Sequence, residues 1–132
     1  MKAIGFLFPG QGAQAVEMGR DFYQTNPRAR SAFNRADELL KFPLSKLCFE
    51  GPESELTRTV NAQVAIFVTS IAILESIDAL YPQLKPALGC GLSLGEFTAL
   101  VALGSISFED GLNLVRKRGE TMEEASQKNP GT

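Results

Sequence analysis

Apolar positions along the chain fall into two short unbroken runs set among longer stretches with helical spacing. Ile4-Gly5-Phe6-Leu7-Phe8 has no polar residue alternating within it and is closed by Pro9-Gly10. Such a run predicts a parallel strand buried on both faces, not a half-exposed one. Pro86-Ala87-Leu88-Gly89-Cys90 predicts a second short strand. Helices are expected over Met18 to Gln24, stopped by Asn26-Pro27, and over Arg28 to Leu40, where Phe33, Ala36, Leu39 and Leu40 share a face. Phe42-Pro43 breaks the second, and Leu44 to Phe49 adds one more turn. Asn61 to Leu80 holds neither glycine nor proline and reads as one long, mostly buried helix ended by Tyr81-Pro82. A helix from Gly95 to about Leu103 follows the second strand, with Gly104 as its stop signal. The last helix opens on the capping sequence Ser107-Phe108-Glu109-Asp110 and runs to about Ala125.

Strand, helices, strand, helix, helix is the order of an α/β fold, a parallel sheet with flanking helices. Two strands make a poor core for such a sheet, so the pattern predicts an incomplete domain. Residues 1–132 are expected to be the N-terminal part of one α/β core domain.

Composition narrows the function classes. Apolar residues make up 44% and charged residues 21% of the 132, ordinary values for a globular chain. A net charge of -2 offers no basic excess to hold a nucleic-acid backbone. Cys48 and Cys90 do not make a disulfide framework, and read as free thiols in a reducing, cytoplasmic setting. The chain has no histidine, so a four-ligand zinc site cannot be filled and no metal is expected. The N-terminal apolar run is too short for a signal peptide, and the longest apolar stretch, Val64 to Leu74, is broken by Thr69 and Ser70. It falls short of the roughly 20 residues that span a bilayer, so no membrane partner is expected.

Three features carry chemistry. Gly91-Leu92-Ser93-Leu94-Gly95 lies between a predicted strand and a predicted helix. A sharp strand-to-helix turn there lifts the Ser93 hydroxyl clear of the backbone, with the glycines permitting the crowding. The alternative is a glycine-rich turn with a capping serine. The Leu94 amide, just after a nucleophile at 93, is one candidate oxyanion donor. Pro9-Gly10-Gln11-Gly12-Ala13-Gln14 follows the first strand and brings backbone close to a ligand, making the Gln11 amide a second candidate. A rival reading fits Gly10-x-Gly12-x-x-Ala15 to a dinucleotide fingerprint, which requires a helix opening within the motif and a second strand soon after. On a helical wheel, Phe108, Leu112, Val115, Gly119 and Met122 form an apolar face extended by Leu114, and Arg118 falls inside that arc. A cation so placed needs an anion, either a structural carboxylate or a substrate carboxylate received by the planar fork.

In this order, these elements resemble the malonyl-CoA:acyl carrier protein transacylases of fatty acid synthesis. Phe8 through Gln14 is similar to the family's opening signature, Gly91 through Phe97 to its nucleophile elbow, and Leu114 through Gly119 to the segment whose last arginine holds the malonyl carboxylate. Gln63 matches a glutamine the family places near its active site. The resemblance implies an α/β-hydrolase-like acyltransferase core, with Ser93 as nucleophile, Arg118 as carboxylate anchor and the Gln11 and Leu94 amides as oxyanion hole. It implies ping-pong transfer of malonyl from coenzyme A, through malonyl-Ser93, to the phosphopantetheine thiol of acyl carrier protein. Malonyl-CoA would be substrate, with no bound cofactor. Two positions depart from the family pattern: Leu92 stands where histidine is usual, and Val64 where proline often follows the glutamine. The family's catalytic histidine and its small ferredoxin-like subdomain belong to a later part of a chain more than twice this long. Two other readings remain at this point, an α/β serine hydrolase or thioesterase, and a truncated non-catalytic module that binds acyl carrier protein.

Overall fold

The computed structural model describes residues 3–131. Strand β1 (Gly5–Phe8) is followed by α1 (Arg20–Thr25), α2 (Pro27–Leu40), α3 (Leu44–Glu50), α4 (Glu53–Leu56) and α5 (Thr59–Leu80). Strand β2 (Leu88–Gly91), α6 (Gly95–Ala102) and α7 (Phe108–Lys128) complete it. The strands pair in parallel with Gly5 opposite Leu88 and Phe8 opposite Gly91. Both strands therefore end at the same level. The chain leaves them as two adjacent loops, and the Leu92 amide still donates to the Phe8 carbonyl at 3.1 Å. In open α/β sheets, this carboxyl end is where ligands bind.

Helix α5 forms the centre of the core. It packs against α2 on one side and α7 on the other, and its Ala65, Phe67, Val68 and Ala72 are buried. On α2, Ala29, Ala32 and Ala36 leave room for close approach while Phe33 fills the space between. Local signals set the ends of these helices. Asn26 caps α2 by accepting from the Arg28 amide at 2.9 Å, with Pro27 as the first helical residue. Asn26-Pro27 thus both stops α1 and starts α2. Ser107 caps α7 by accepting from the Asp110 amide at 3.0 Å, and Gly104 takes the left-handed conformation after α6.

Three expectations change. β1 is not buried on both faces: Leu7 is 79% exposed, and Leu88 and Cys90 beside it are exposed too. Only Phe6, Phe8, Gly89 and Gly91 face the helices, because one face of the two-stranded sheet is uncovered among the described residues. Helix α5 starts at Thr59, not Asn61, and its 22 residues are long and apolar enough to cross a membrane by length and composition. Its buried, two-sided packing explains that composition as that of a core helix. Finally, α4 was not visible as periodicity, since its four residues bury only Leu56.

Candidate active site

The turn between β2 and α6 is built by exclusion. A Cβ on Gly91 would lie 1.9 Å from the Gly95 carbonyl carbon, and one on Gly95 would lie 2.4 Å from the Phe8 oxygen. Only glycine lets the chain double back this tightly against both strands. Between them Ser93 takes φ 56°, the left-handed region that a non-glycine residue adopts only under constraint. The Gly95 amide then donates to the Leu92 carbonyl at 2.9 Å and the Glu96 amide to that of Ser93 at 3.1 Å, winding the turn into α6. The Ser93 residue remains exposed while Leu94 is fully buried. Among the described residues, the buried Leu94 amide donates to no protein acceptor. A buried amide in that state, at the start of a helix, suits a developing negative charge.

The loop after β1 is pinned beside this turn. Gly10 is buried, and a Cβ there would meet the Leu92 oxygen at 2.6 Å. Gln11 follows directly, with its side-chain amide donating to Thr59 Oγ1 at 3.1 Å. Residues 11–19 contain no helix, α1 opens only at Arg20, and no strand follows before β2. The dinucleotide reading therefore lacks both structural requirements.

Arg118 completes the cluster. It donates from Nη1 to Gln63 Oε1 at 2.7 Å and from Nη2 to Ser93 Oγ at 2.7 Å. Its apolar setting differs from the wheel's. Leu114 is 48% and Met122 41% exposed, and the buried face of α7 is Phe108, Gly111, Leu112, Val115 and Gly119. Arg118 is half-buried at the edge of that face, over the serine turn. It forms no ion pair with a carboxylate among the described residues. Both acceptors it has are neutral, which leaves its charge unbalanced and available to an anion.

Over residues 5–131 the chain matches the family described as acyl transferase domain. The chain belongs to that family. The chain is 50% identical over 125 residues to the malonyl CoA-acyl carrier protein transacylase of Bacillus subtilis (strain 168), covering 95% of this chain and 39% of that protein. Its fold superposes on the crystal structure of the malonyl CoA-acyl carrier protein transacylase from Clostridium perfringens with TM-score 0.87 and 46% identity, over 94% of this chain and 39% of that one. A third relative, solved as a type II PKS acyl-carrier protein in complex with its malonyl-transacylase, matches with TM-score 0.88 and 36% identity, over 94% and 40% of the two chains. The chain thus spans well under half the length of these relatives.

Sequence reasoning missed three contacts of this candidate site. Thr59 receives Gln11, Met122 Sδ receives the Gln63 side-chain amide at 3.1 Å, and Phe97 lies 6.0 Å from the Arg118 guanidinium. One signal for the first was present: Thr59 and Gln63 are four apart and share a face of α5. What the site does not contain is equally informative. The hydrogen-bond partner of Ser93 Oγ is a cation, which cannot accept the serine proton. The groove of about 260 Å³ between β1 and α5, lined by Phe6, Phe8, Ile73 and Leu74 among others, is not lined by Ser93. Its wall is apolar, and neither Arg118 nor Gln63 lines it, so we place the chemistry at the serine turn.

Proposed function

We propose that this chain is the N-terminal part of the α/β core of a malonyl-CoA:acyl carrier protein transacylase, and that Ser93 is its nucleophile. The observation that carries the reading is the contact of an unpaired guanidinium with the hydroxyl of a strained strand–helix turn. The family membership and the acyl carrier protein complex of a relative support it. In the first half-reaction, Ser93 Oγ attacks the thioester carbonyl of malonyl-CoA and gives its proton to a base. The tetrahedral oxyanion is received by the Leu94 and Gln11 amides. The C–S bond then breaks, coenzyme A leaves as its thiol after taking up the proton, and malonyl remains as an ester on Ser93. In the second half-reaction, the phosphopantetheine thiol of acyl carrier protein attacks that ester through the same oxyanion, and Ser93 recovers its proton.

Arg118 selects the acyl group. Its Nη2 reaches the atom to which the acyl group becomes bonded, so its fork lies within a few ångströms of a carboxylate carried on the acyl chain. Gln63, fully buried on α5, holds the other arm of the fork. A serine hydrolase has no need of this cation, which makes acyl transfer the better reading. A serine hydroxyl is a weak nucleophile unaided, yet the sequence has no histidine and, among the described residues, no carboxylate hydrogen-bonds Ser93 Oγ, so we assign the base to a part of the protein outside residues 1–132. As a consequence, the 132-residue chain by itself turns over malonyl-CoA slowly or not at all. The setting we propose is the cytoplasm.

The test is covalent trapping. In the polypeptide that carries this chain at the length of its relatives, brief mixing with malonyl-CoA gives a malonyl adduct detectable by mass spectrometry, and Ser93→Ala gives none. An adduct that survives in Ser93→Ala assigns the nucleophile elsewhere and overturns the reading.

A further inference from the structure

The start of α5 braces the site from two sides. Gln63 lies one turn into the helix and holds Arg118. Thr59, four residues earlier on the same face, accepts from the Gln11 side chain at 3.1 Å, and its hydroxyl has no other partner among the described residues. Arg58 ties this end of α5 to α7 through Glu123 at 3.1 Å. Gly119, next to Arg118, brings α7 so near that an added Cβ would lie 3.1 Å from the Val60 Cα. Thr59 is therefore a fixed point. Gln11 is exposed and is the second residue of a turn closed by the Ala13 amide donating to the Gly10 carbonyl at 3.3 Å, so the loop's own bonds set its local shape, and the Gln11–Thr59 bond ties that turn to α5.

We infer that Thr59 is a positioning residue for acyl transfer, setting the Gln11 backbone amide by anchoring the Gln11 side chain. The inference rests on the reading of Ser93 and of the Gln11 amide given above. A donor aimed at a developing oxyanion works only when it is held in place before charge appears, and small displacements are expensive in rate. Gly10 fixes the root of the loop against Leu92, and Thr59 fixes the next residue. One face of one helix turn thus aligns the oxyanion donor with the carboxylate anchor.

The experiment uses the full-length enzyme with Thr59→Val, Thr59→Ser, Gln11→Met and the Thr59→Val/Gln11→Met pair. Thr59→Val is expected to lower kcat for malonyl transfer by about 10-fold or more, with KM for malonyl-CoA held within about twofold and Tm unchanged. Thr59→Ser, which keeps the hydroxyl, restores the rate. In the Gln11→Met background, Thr59→Val adds no further loss, because the bond is already gone. A wild-type kcat in Thr59→Val, a Thr59→Ser that fails to rescue, or additive losses in the pair would each overturn the inference. Ser93→Ala, run alongside, separates the two levels. Transfer surviving there sinks Ser93 as the nucleophile and with it the reading this inference rests on, whereas its loss there with a normal Thr59→Val sinks only the role of Thr59.

Discussion

The Arg118 guanidinium donates to the Ser93 hydroxyl at 2.7 Å, across 25 residues of sequence and from α7 to the turn ahead of α6. A cation in that position does two things. It occupies a lone pair of Oγ, and in the proposed mechanism it would be released once Oγ became an ester oxygen, a much weaker acceptor. The freed N–H donors would then face whatever the acyl chain carries.

Replacing Arg118 with Ala should lower kcat/KM for malonyl transfer far more than for acetyl transfer. Malonyl differs from acetyl by one terminal carboxylate, and losing one member of a buried, hydrogen-bonded charge pair costs about 2–5 kcal/mol. The malonyl-to-acetyl ratio should therefore fall by about 30-fold or more. Arg118→Lys should recover part of it, because an ammonium cannot form the fork. Equal losses for both substrates would make Arg118 structural.

Gln63→Glu should act as a built-in competitor. The new carboxylate would sit fully buried, within hydrogen-bond reach of Arg118 Nη1. It would neutralise the guanidinium that the substrate carboxylate needs, and KM for malonyl-CoA should rise by about 10-fold or more. Acetyl transfer should change much less. A steady-state comparison of the two substrates checks this, and an unchanged malonyl KM would count against Arg118 as anchor.

Gly91→Ala should be among the most damaging single-methyl changes in the chain. Its Cβ would fall 1.9 Å from the Gly95 carbonyl carbon, a backbone atom that no side-chain rotation can move aside. A loss of about 3 kcal/mol or more is expected. Gly12→Ala is the control: its Cβ meets nothing within 4 Å, although φ is +109°. That change should cost only about 1–2 kcal/mol, from backbone strain. Urea unfolding of both variants gives the comparison, and equal losses would refute the steric account.

Stability should decline in alkali through Cys48. Burial, and then the nearby Asp37 charge, push this thiol up to about 12, with the neighbouring Thr69 hydroxyl acting in the opposite sense. Above the ordinary thiol value of 9.0, the unfolded chain ionises while the folded chain keeps its proton. The unfolded state then binds fewer protons, so the unfolding free energy falls as pH rises between about 9 and 12, by up to roughly 1.4 kcal/mol per pH unit. Below pH 9 the contribution is complete. Cys48→Ala should flatten the slope in that window, and a variant with the wild-type slope would assign it to other groups.

The legible parts of the molecule were those written in local pattern. Pro27, Ser107 and Gly104 mark helix ends because capping is settled within a few residues. The spacing of Gly91, Ser93 and Gly95 marked the turn for the same reason. Burial of β1 was misread because an unbroken apolar run reports what a strand is built to contact, whereas Leu7 finds no cover among the described residues. The wheel placed Arg118 correctly relative to its own helix. It could not show that Leu114 and Met122 stay exposed and leave Arg118 at the edge of the buried face, since that depends on where α5 and the serine turn lie. Thr59 and the contact of Met122 with Gln63 escaped notice for a related reason. Their partners lie 48 and 59 residues away, and nothing local announces a hydrogen bond across such distances.

The uncovered side of the sheet governs how the molecule behaves in bulk. Among the described residues, Leu7, Leu88 and Cys90 form a bare apolar strip, and each of the two strands keeps one edge without a strand partner. An edge of this kind is a template for strands of other molecules. A concentrated solution of the 132-residue polypeptide should therefore scatter light more strongly, and lose soluble material faster, than its modest net charge alone would cause. Anyone preparing it as a reagent should expect colloidal stability, and not the folding of the helical core around α5, to limit the yield.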